Sequence, residues 1–338
     1  MLRQIARLTH RVSGAGRTAR AIGVYAEPSN LDMSDRLAPR PACESGLEGV
    51  ACVDDAARAV VLYCRLWNQS RITYTRAAAY ALLRFLAYMQ EPDGRFVNFI
   101  VDWSGERNRH ASTSLPGGAP WQARDTHALA CAVATFGESE WDVRFQRAMA
   151  WLDVPTPYLD VRAVGVLAVL EHWRATGSST SAARALAWSE EIANHSSHGS
   201  LLNAAGVQPI HLWGHLQECA LARVGAAFGR SDLVDIARTS TDSLLIPAMD
   251  AGFTFTPVLP FDVSCTVAGL AAVGTATGDE RYTSAAGRGR DWFRGRNLAA
   301  QPVYDAERGL VFDGIDSGRV SRNSGAESNI EGALALLV

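Results

Sequence analysis

Ala175-Thr176-Gly177-Ser178-Ser179 closes one apolar helical stretch and opens the next. The same arrangement recurs at Thr135-Phe136-Gly137-Glu138-Ser139, at Ala227-Phe228-Gly229-Arg230-Ser231 and at Ala276-Thr277-Gly278-Asp279-Glu280. Glycine supplies the left-handed residue that ends a helix, where a Cβ would clash. The Ser or Asp that follows accepts from the free N–H groups of the next helix. A joint this short makes an antiparallel helical hairpin. Outward from these joints the apolar bands are broad, as in Ala56-Ala57-Arg58-Ala59-Val60-Val61-Leu62 and Tyr80-Ala81-Leu82-Leu83-Arg84-Phe85-Leu86. Bands of that width belong to helices buried over a wide face.

The first helix of each hairpin is expected to start near Asp54, Asp125, Tyr158, Trp213, Asp262 and Gly325. Partner helices are expected near Thr73, Ser139, Ser179, Ser231 and Asp279. An N-terminal helix with Leu2, Ile5 and Leu8 on one side would pair with the last one. This predicts an all-α, single-domain (α/α)6 toroid over residues 51–338, with residues 1–50 as an N-terminal helix and irregular segment packed on the ring. The links between hairpins are long, at residues 91–124, 195–212, 250–261 and 295–324. Long loops in a compact domain usually carry function, and these would gather above the inner helix starts. An open solenoid is the competing architecture; the unequal repeat lengths argue against it.

Composition narrows the chemistry. The chain has 338 residues, of which 48% are hydrophobic and 20% charged, as in a folded soluble protein. All 32 basic residues are Arg, so a Lys Schiff base and a Walker A lysine are both excluded. A net charge of −3 gives no general surface for nucleic acid or anionic membrane. Cys43, Cys52, Cys64, Cys131, Cys219 and Cys265 form no C-x-x-C, and four of them sit in apolar helical stretches. A reducing, cytoplasmic setting follows. The basic N-terminus lacks the apolar region of a signal peptide, although an acid-poor leader of this kind also fits a transit peptide. The apolar stretch 263–278 is too short to span a bilayer.

Helix starts that converge on one cavity make the polar residues there the functional candidates, and the positive helix ends favour carboxylates. Val53-Asp54-Asp55-Ala56-Ala57-Arg58 offers adjacent acids, readable as an acid/base pair or as a helix cap with a dipole partner. Arg58 stands where a DDxxD metal motif needs its last Asp. Arg124-Asp125-Thr126-His127 offers Asp125 and His127. In the stretch from His211 through Trp213 and His215 to Glu218, the two histidines are expected on one helical face with Glu218 following at i+3. Leu212 breaks the H-E-x-x-H pattern, and no metal site is predicted. Asp262 is a cap or a cavity group. Asp313 lies in an Asp-Gly turn, Asn323 follows, and Glu327 opens the last helix, where Ser324-x-x-Glu327 also reads as a capping box. Trp103, Trp121 and Trp213 are the candidate faces on which a sugar would stack.

The motifs VDDAARA (53–59), GRFVNF (94–99), RDTHALA (124–130) and RNSGAES (322–328) resemble those of bacterial six-hairpin toroid proteins related to glycosidases. Such proteins are often encoded beside glycosyltransferases, and some carry that name. The resemblance runs from about Asp54 to the C-terminus and implies functional roles for Asp54, Asp55, Arg58, Asp125, His127, Asp313, Asn323 and Glu327. The chain departs from the family pattern at Arg124, where that family has an acid, at Ala128-Leu129, where it has Gly-Arg, and around Asp262 and Glu218.

Together these readings point to a glycoside hydrolase-like enzyme acting on a saccharide or glycoconjugate without a cofactor. Glu327 or Asp55 would be the acid and Asp125 the base, with His127 and Asn323 on hydroxyls. Asp54, Arg58, His211, His215, Glu218, Asp262 and Asp313 complete the expected binding set, and a glycosyltransferase is the expected protein partner. Two alternatives stay open. One is a sugar epimerase that moves protons through His127, His211 or His215. The other is a non-catalytic toroid that binds glycan or a glycosyltransferase.

Overall fold

The computed structural model describes residues 1–28, 37–39, 48–206 and 209–337; Cys43 lies outside them. Two compact units are formed. One comprises Met1–Pro155, Asp305–Asp313 and Ser321–Val338, and the other Thr156–Tyr304 and Gly314–Val320.

In the first unit, α1 (Leu2–Leu8) is followed by a short antiparallel ladder, β1 (Thr9–Arg11) with β2 (Arg20–Ile22). Two hairpins come next: α2 (Val53–Ser70) with α3 (Thr73–Met89), and α4 (Ala119–Phe136) with α5 (Ser139–Leu152). The last helix, α13 (Ala326–Leu337), lies against α2, and α1 lies against α13, so the ends of the chain meet as the apolar spacing of Leu2, Ile5 and Leu8 predicts. The order of first helices across this unit is therefore α13, α2, α4. Antiparallel strands β3 (Ala51–Cys52) and β4 (Phe99–Ile100) hold the long 91–118 link over the start of α2.

The second unit repeats the plan. Its hairpins are α6 (Leu159–Thr176) with α7 (Ser179–Ala193), α8 (Gln217–Phe228) with α9 (Ser231–Ser240), and α11 (Pro260–Thr277) with α12 (Glu280–Trp292). A π-turn at Thr241–Leu245 and the short α10 (Ile246–Asp250) extend α9. The first helices again neighbour one another in chain order, α6 beside α8 and α8 beside α11. These helices are apolar nearly all round: Leu159, Ala163, Val166, Ala168, Val169 and Leu170 of α6 are each 2% exposed or less. A helix buried on every side needs neighbours on every side, which the hairpin partner and the flanking first helices supply.

The joints form as the sequence predicts on their glycine side. Gly137, Gly177, Gly229 and Gly278 adopt φ between 69° and 71°, each returning its N–H to the last helical turn. The capping side is mixed. Ser178 accepts from the Ser181 amide and Asp279 from the Arg281 amide, whereas Ser139 and Ser231 are already the first helical residues. The α2–α3 joint uses Arg71 at φ 55° in place of glycine.

A Cβ at Gly177 would meet nothing within 4 Å, so Gly177→Ala bears only the cost of a left-handed backbone. Unfolding in urea should show a loss of about 1 kcal/mol. Gly94 combines φ +96° with the Arg147 carbonyl oxygen 2.2 Å from the Cβ position, so Gly94→Ala should lose clearly more in the same measurement.

Candidate active site

Cys52 stands at the N-cap of α2, and its sulfur accepts the Asp55 amide at 3.4 Å. Its thiol donates to Asp55 Oδ2 at 3.3 Å, so Cys52 caps the helix and also holds the Asp55 carboxyl. Asn98, from the GRFVNF stretch, anchors the same turn: its carbonyl accepts the Val53 amide at 2.8 Å and its side-chain oxygen the Asp54 amide at 3.4 Å. The first turn of α2 is thus fixed from outside the helix before its acids meet any partner.

One turn on, buried Arg58 gathers those acids. Its Nη2 donates to Asp54 at 3.1 Å and to Asp55 at 2.8 Å, and its Nη1 to Glu327 at 3.0 Å and Glu331 at 3.2 Å. Glu327 and Glu331 are one turn apart on α13, so both face Arg58. Arg124 of α4 reaches Asp54 and bonds both of its oxygens. Glu327 is the open member, its side chain 40% exposed against 3% for Asp55.

This surrounding drives neighbouring carboxyls apart. Burial opposes ionisation of Asp54, but Arg124 and Arg58 outweigh it and hold its pKa below the usual carboxylate value. Burial pushes Asp55 up to about 7; Arg58 resists, while Asp54 and Glu327 add to the rise. Asp125 is also pushed well above its ordinary value, through burial first and then the charge of Asp54, against the pull of Arg124. It is fully buried, and neither of its carboxyl oxygens has a hydrogen-bond partner among the described residues. Asp125 also lies in the second turn of α4, which begins at Ala119, so it does not open the helix as its sequence context suggests. Asp125, read from the sequence as the base, is closed from solvent, whereas Glu327 is open.

Other predicted residues serve the start of α13. Asp313 accepts from the Gly325 amide at 2.8 Å and the Ser328 hydroxyl at 2.7 Å, which makes it the cap there. The capping box expected between Ser324 and Glu327 is not formed: Ser324 donates to the Val311 carbonyl and Glu327 turns to Arg58. Asn323 donates its amide to the Tyr25 hydroxyl at 2.6 Å. His127 is buried in α4. Trp121 is 9% exposed and donates to the Phe96 carbonyl at 3.0 Å, so it packs in place and offers no open stacking face. Trp103 leans on His10 at 4.6 Å beside the β1–β2 ladder.

The remaining predicted residues lie in the second unit. The helix expected near Trp213 starts at Gln217, so His211 and His215 sit in the preceding loop and share no helical face. His215 and Glu218 form a wholly buried pair at 3.0 Å, and Ser240 also donates to Glu218. His211 stacks on Trp213 with ring centroids 3.8 Å apart. Asp262 accepts the Leu259 amide at 2.8 Å from the first turn of α11, so it acts there as a cap.

Cys52, Asn98 and Glu331 are members of these clusters that the sequence reading passed over. The spacing Glu327-x-x-x-Glu331 was the available signal for the last. Cysteine ranks low as a cap, and Asn98 acts from a loop far away in the chain.

No family model matches the chain, and no curated protein matches it in sequence. Solved structures do match in fold. Cellobiose 2-epimerase from Bacillus thermoamylovorans has a TM-score of 0.74 at 10% identity, covering 99% of this chain and 95% of that one. D-Mannose isomerase gives 0.69 at 14% identity, covering 95% and 92%. A family 76 glycoside hydrolase from a bovine Bacteroides thetaiotaomicron strain gives 0.66 at 10% identity, covering 99% and 75%. The fold is the (α/α)6 toroid of these proteins.

The two adjacent acids make opposite contributions to stability. Asp55 binds its proton more tightly folded than unfolded, so its contribution is lost as pH rises from about 4 to about 7. Asp54, held low, contributes above its unfolded pKa and loses that contribution as pH falls through its folded value. Asp55→Asn should therefore gain stability relative to wild type progressively between about pH 4 and 7 and hold that gain above it. Urea midpoints measured across this range test the sign.

Proposed function

We propose that the protein is a carbohydrate-active enzyme of glycoside hydrolase-like chemistry, with the Arg58 cluster as its reaction site. Asp55 is the proton-holding acid, and Glu327, ion-paired to Arg58 and open to solvent, is the carboxylate that activates water. The observation that carries this reading is that both bond one guanidinium, Asp55 at 2.8 Å and Glu327 at 3.0 Å. That shared partner keeps the carboxyls within roughly 8 Å, no farther apart than the upper end of the range of about 5–10 Å over which carboxyl pairs cleave glycosidic bonds. The base role read for Asp125 from the sequence passes to Glu327.

A second reading has its own support. His215 and Glu218 form a buried proton-handling pair, and sugar epimerases are among the proteins that share the fold. Epimerisation by proton transfer would exchange a ring-carbon hydrogen with solvent, and hydrolysis would not.

The substrate class is a saccharide or glycoconjugate. A glycosyltransferase partner fits the sequence resemblance. Among the described residues no helix is long and apolar enough to cross a membrane, and the five described cysteines are buried thiols, which suits a reducing, cytoplasmic setting.

Incubation with a panel of oligosaccharides should generate new reducing ends. Glu327→Gln and Asp55→Asn should each lower that rate by about 10²–10⁴-fold. The wild-type rate should fall as pH rises through about 7, where Asp55 gives up its proton. Deuterium entering a ring carbon with no new reducing end would replace this reading with epimerisation.

A further inference from the structure

The loop before α8 is built around Asn203, which is 5% exposed. Its backbone carbonyl accepts the Leu159 amide at 2.7 Å and the Asp160 amide at 3.2 Å, tying it to the start of α6. Its side-chain oxygen accepts the His211 amide and its side-chain nitrogen donates to His215 Nδ1, each at 3.1 Å. Asn203 therefore fixes His211 and Asp160 side by side.

His211 then presents a defined pair of groups. Its Nδ1 lies 2.9 Å from the Trp213 carbonyl, so Nδ1 carries a proton and donates. Burial lowers the pKa of His211 against the opposing pull of that carbonyl and of Asp160, which favours a neutral ring. Nε2 of the neutral ring is an acceptor. Asp160 Oδ2, another acceptor, stands 3.9 Å away, too far for a direct hydrogen bond. Trp213 stacks on His211 at an interplanar angle of 8° and is still 47% exposed, so the indole face away from the histidine is open.

An open aromatic face beside two fixed acceptors matches a pyranose ring: its C–H face lies on the indole, and adjacent hydroxyls donate to Nε2 and Oδ2. We propose that His211, Trp213 and Asp160 form a saccharide-binding subsite in the second unit, selective for a neutral sugar with two neighbouring hydroxyls. This rests on the carbohydrate reading only for the class of ligand; the geometry is its own.

Saturation-transfer NMR of the full chain with methyl α-D-mannopyranoside and methyl β-D-glucopyranoside tests it. At least one glycoside should bind wild type, Trp213→Ala should weaken that binding at least tenfold, and Asp160→Asn should weaken it less. Trp213→Phe, which keeps a flat ring on His211, should restore part of the loss. No binding to wild type, or equal binding by wild type and Trp213→Ala, overturns the subsite. Glu327→Gln separates the two claims: it should lower turnover by about 10²–10⁴-fold and leave glycoside binding within twofold. Binding lost in Glu327→Gln and kept in Trp213→Ala would assign the sugar to the Arg58 cluster and overturn the proposal.

Discussion

Arg58 is the constraint on which the first unit depends. A buried guanidinium has lost its water and must recover hydrogen bonds from the protein. Here it recovers them from four acids, two on its own helix and two on α13. The dependence runs both ways, because Asp55 and Glu331 are themselves buried and would be costly without a counter-charge. The ends of the chain are therefore clamped to its first hairpin by electrostatics as well as by apolar packing. The cap that Asp313 places on α13 and the packing of α1 on α13 act on the same helix.

The clamp also divides the acids by role. Asp54 and Asp55 are neighbours in sequence, yet one is driven toward its charged form and the other toward its neutral one. Arg124 adds to the difference, because it bonds Asp54 and not Asp55, whose side-chain partners are Arg58 and the Cys52 thiol. The family resemblance marks Arg124 as a departure, a basic residue where an acid is expected. In the fold it accounts for part of the asymmetry, since it adds a second cation to Asp54, which Arg58 also bonds. The changed residue thus brings a second cation to a cluster of four acids.

Much of this was legible in the chain itself. The Gly137, Gly177, Gly229 and Gly278 joints announced the hairpins because a left-handed helix end has a strong compositional signature. Asp54, Asp55, Arg58 and Glu327 were legible as a set from the VDDAARA and RNSGAES motifs. What stayed hidden depends on long-range geometry. The start of α4 lies at Ala119, ahead of Asp125, because Ala119-Pro120 opens that helix with Pro at its first turn, a signal outweighed by the acid farther on. The start of α8 was read too early because His211, Trp213 and His215 have helical spacing, while Gly214 at φ 72° breaks the helix between them. Spacing alone cannot distinguish a helical face from a loop whose side chains are fixed by a distant Asn203.

That loop shows why residue type is a poor guide to role. His215 and Glu218 have the chemistry of a proton-transfer pair, but both are closed from solvent, with His215 held at one nitrogen by Asn203 and at the other by Glu218. In this state no substrate carbon can approach them, so proton transfer there would require the loop to open and these bonds to break. His211, with the same side chain, is the exposed one, and its open partner is an indole. The buried pair supplies rigidity, and that rigidity sets His211, Trp213 and Asp160 at fixed positions. A preorganised face of this kind loses little entropy on binding, which is what a weakly held, uncharged ligand such as a sugar requires.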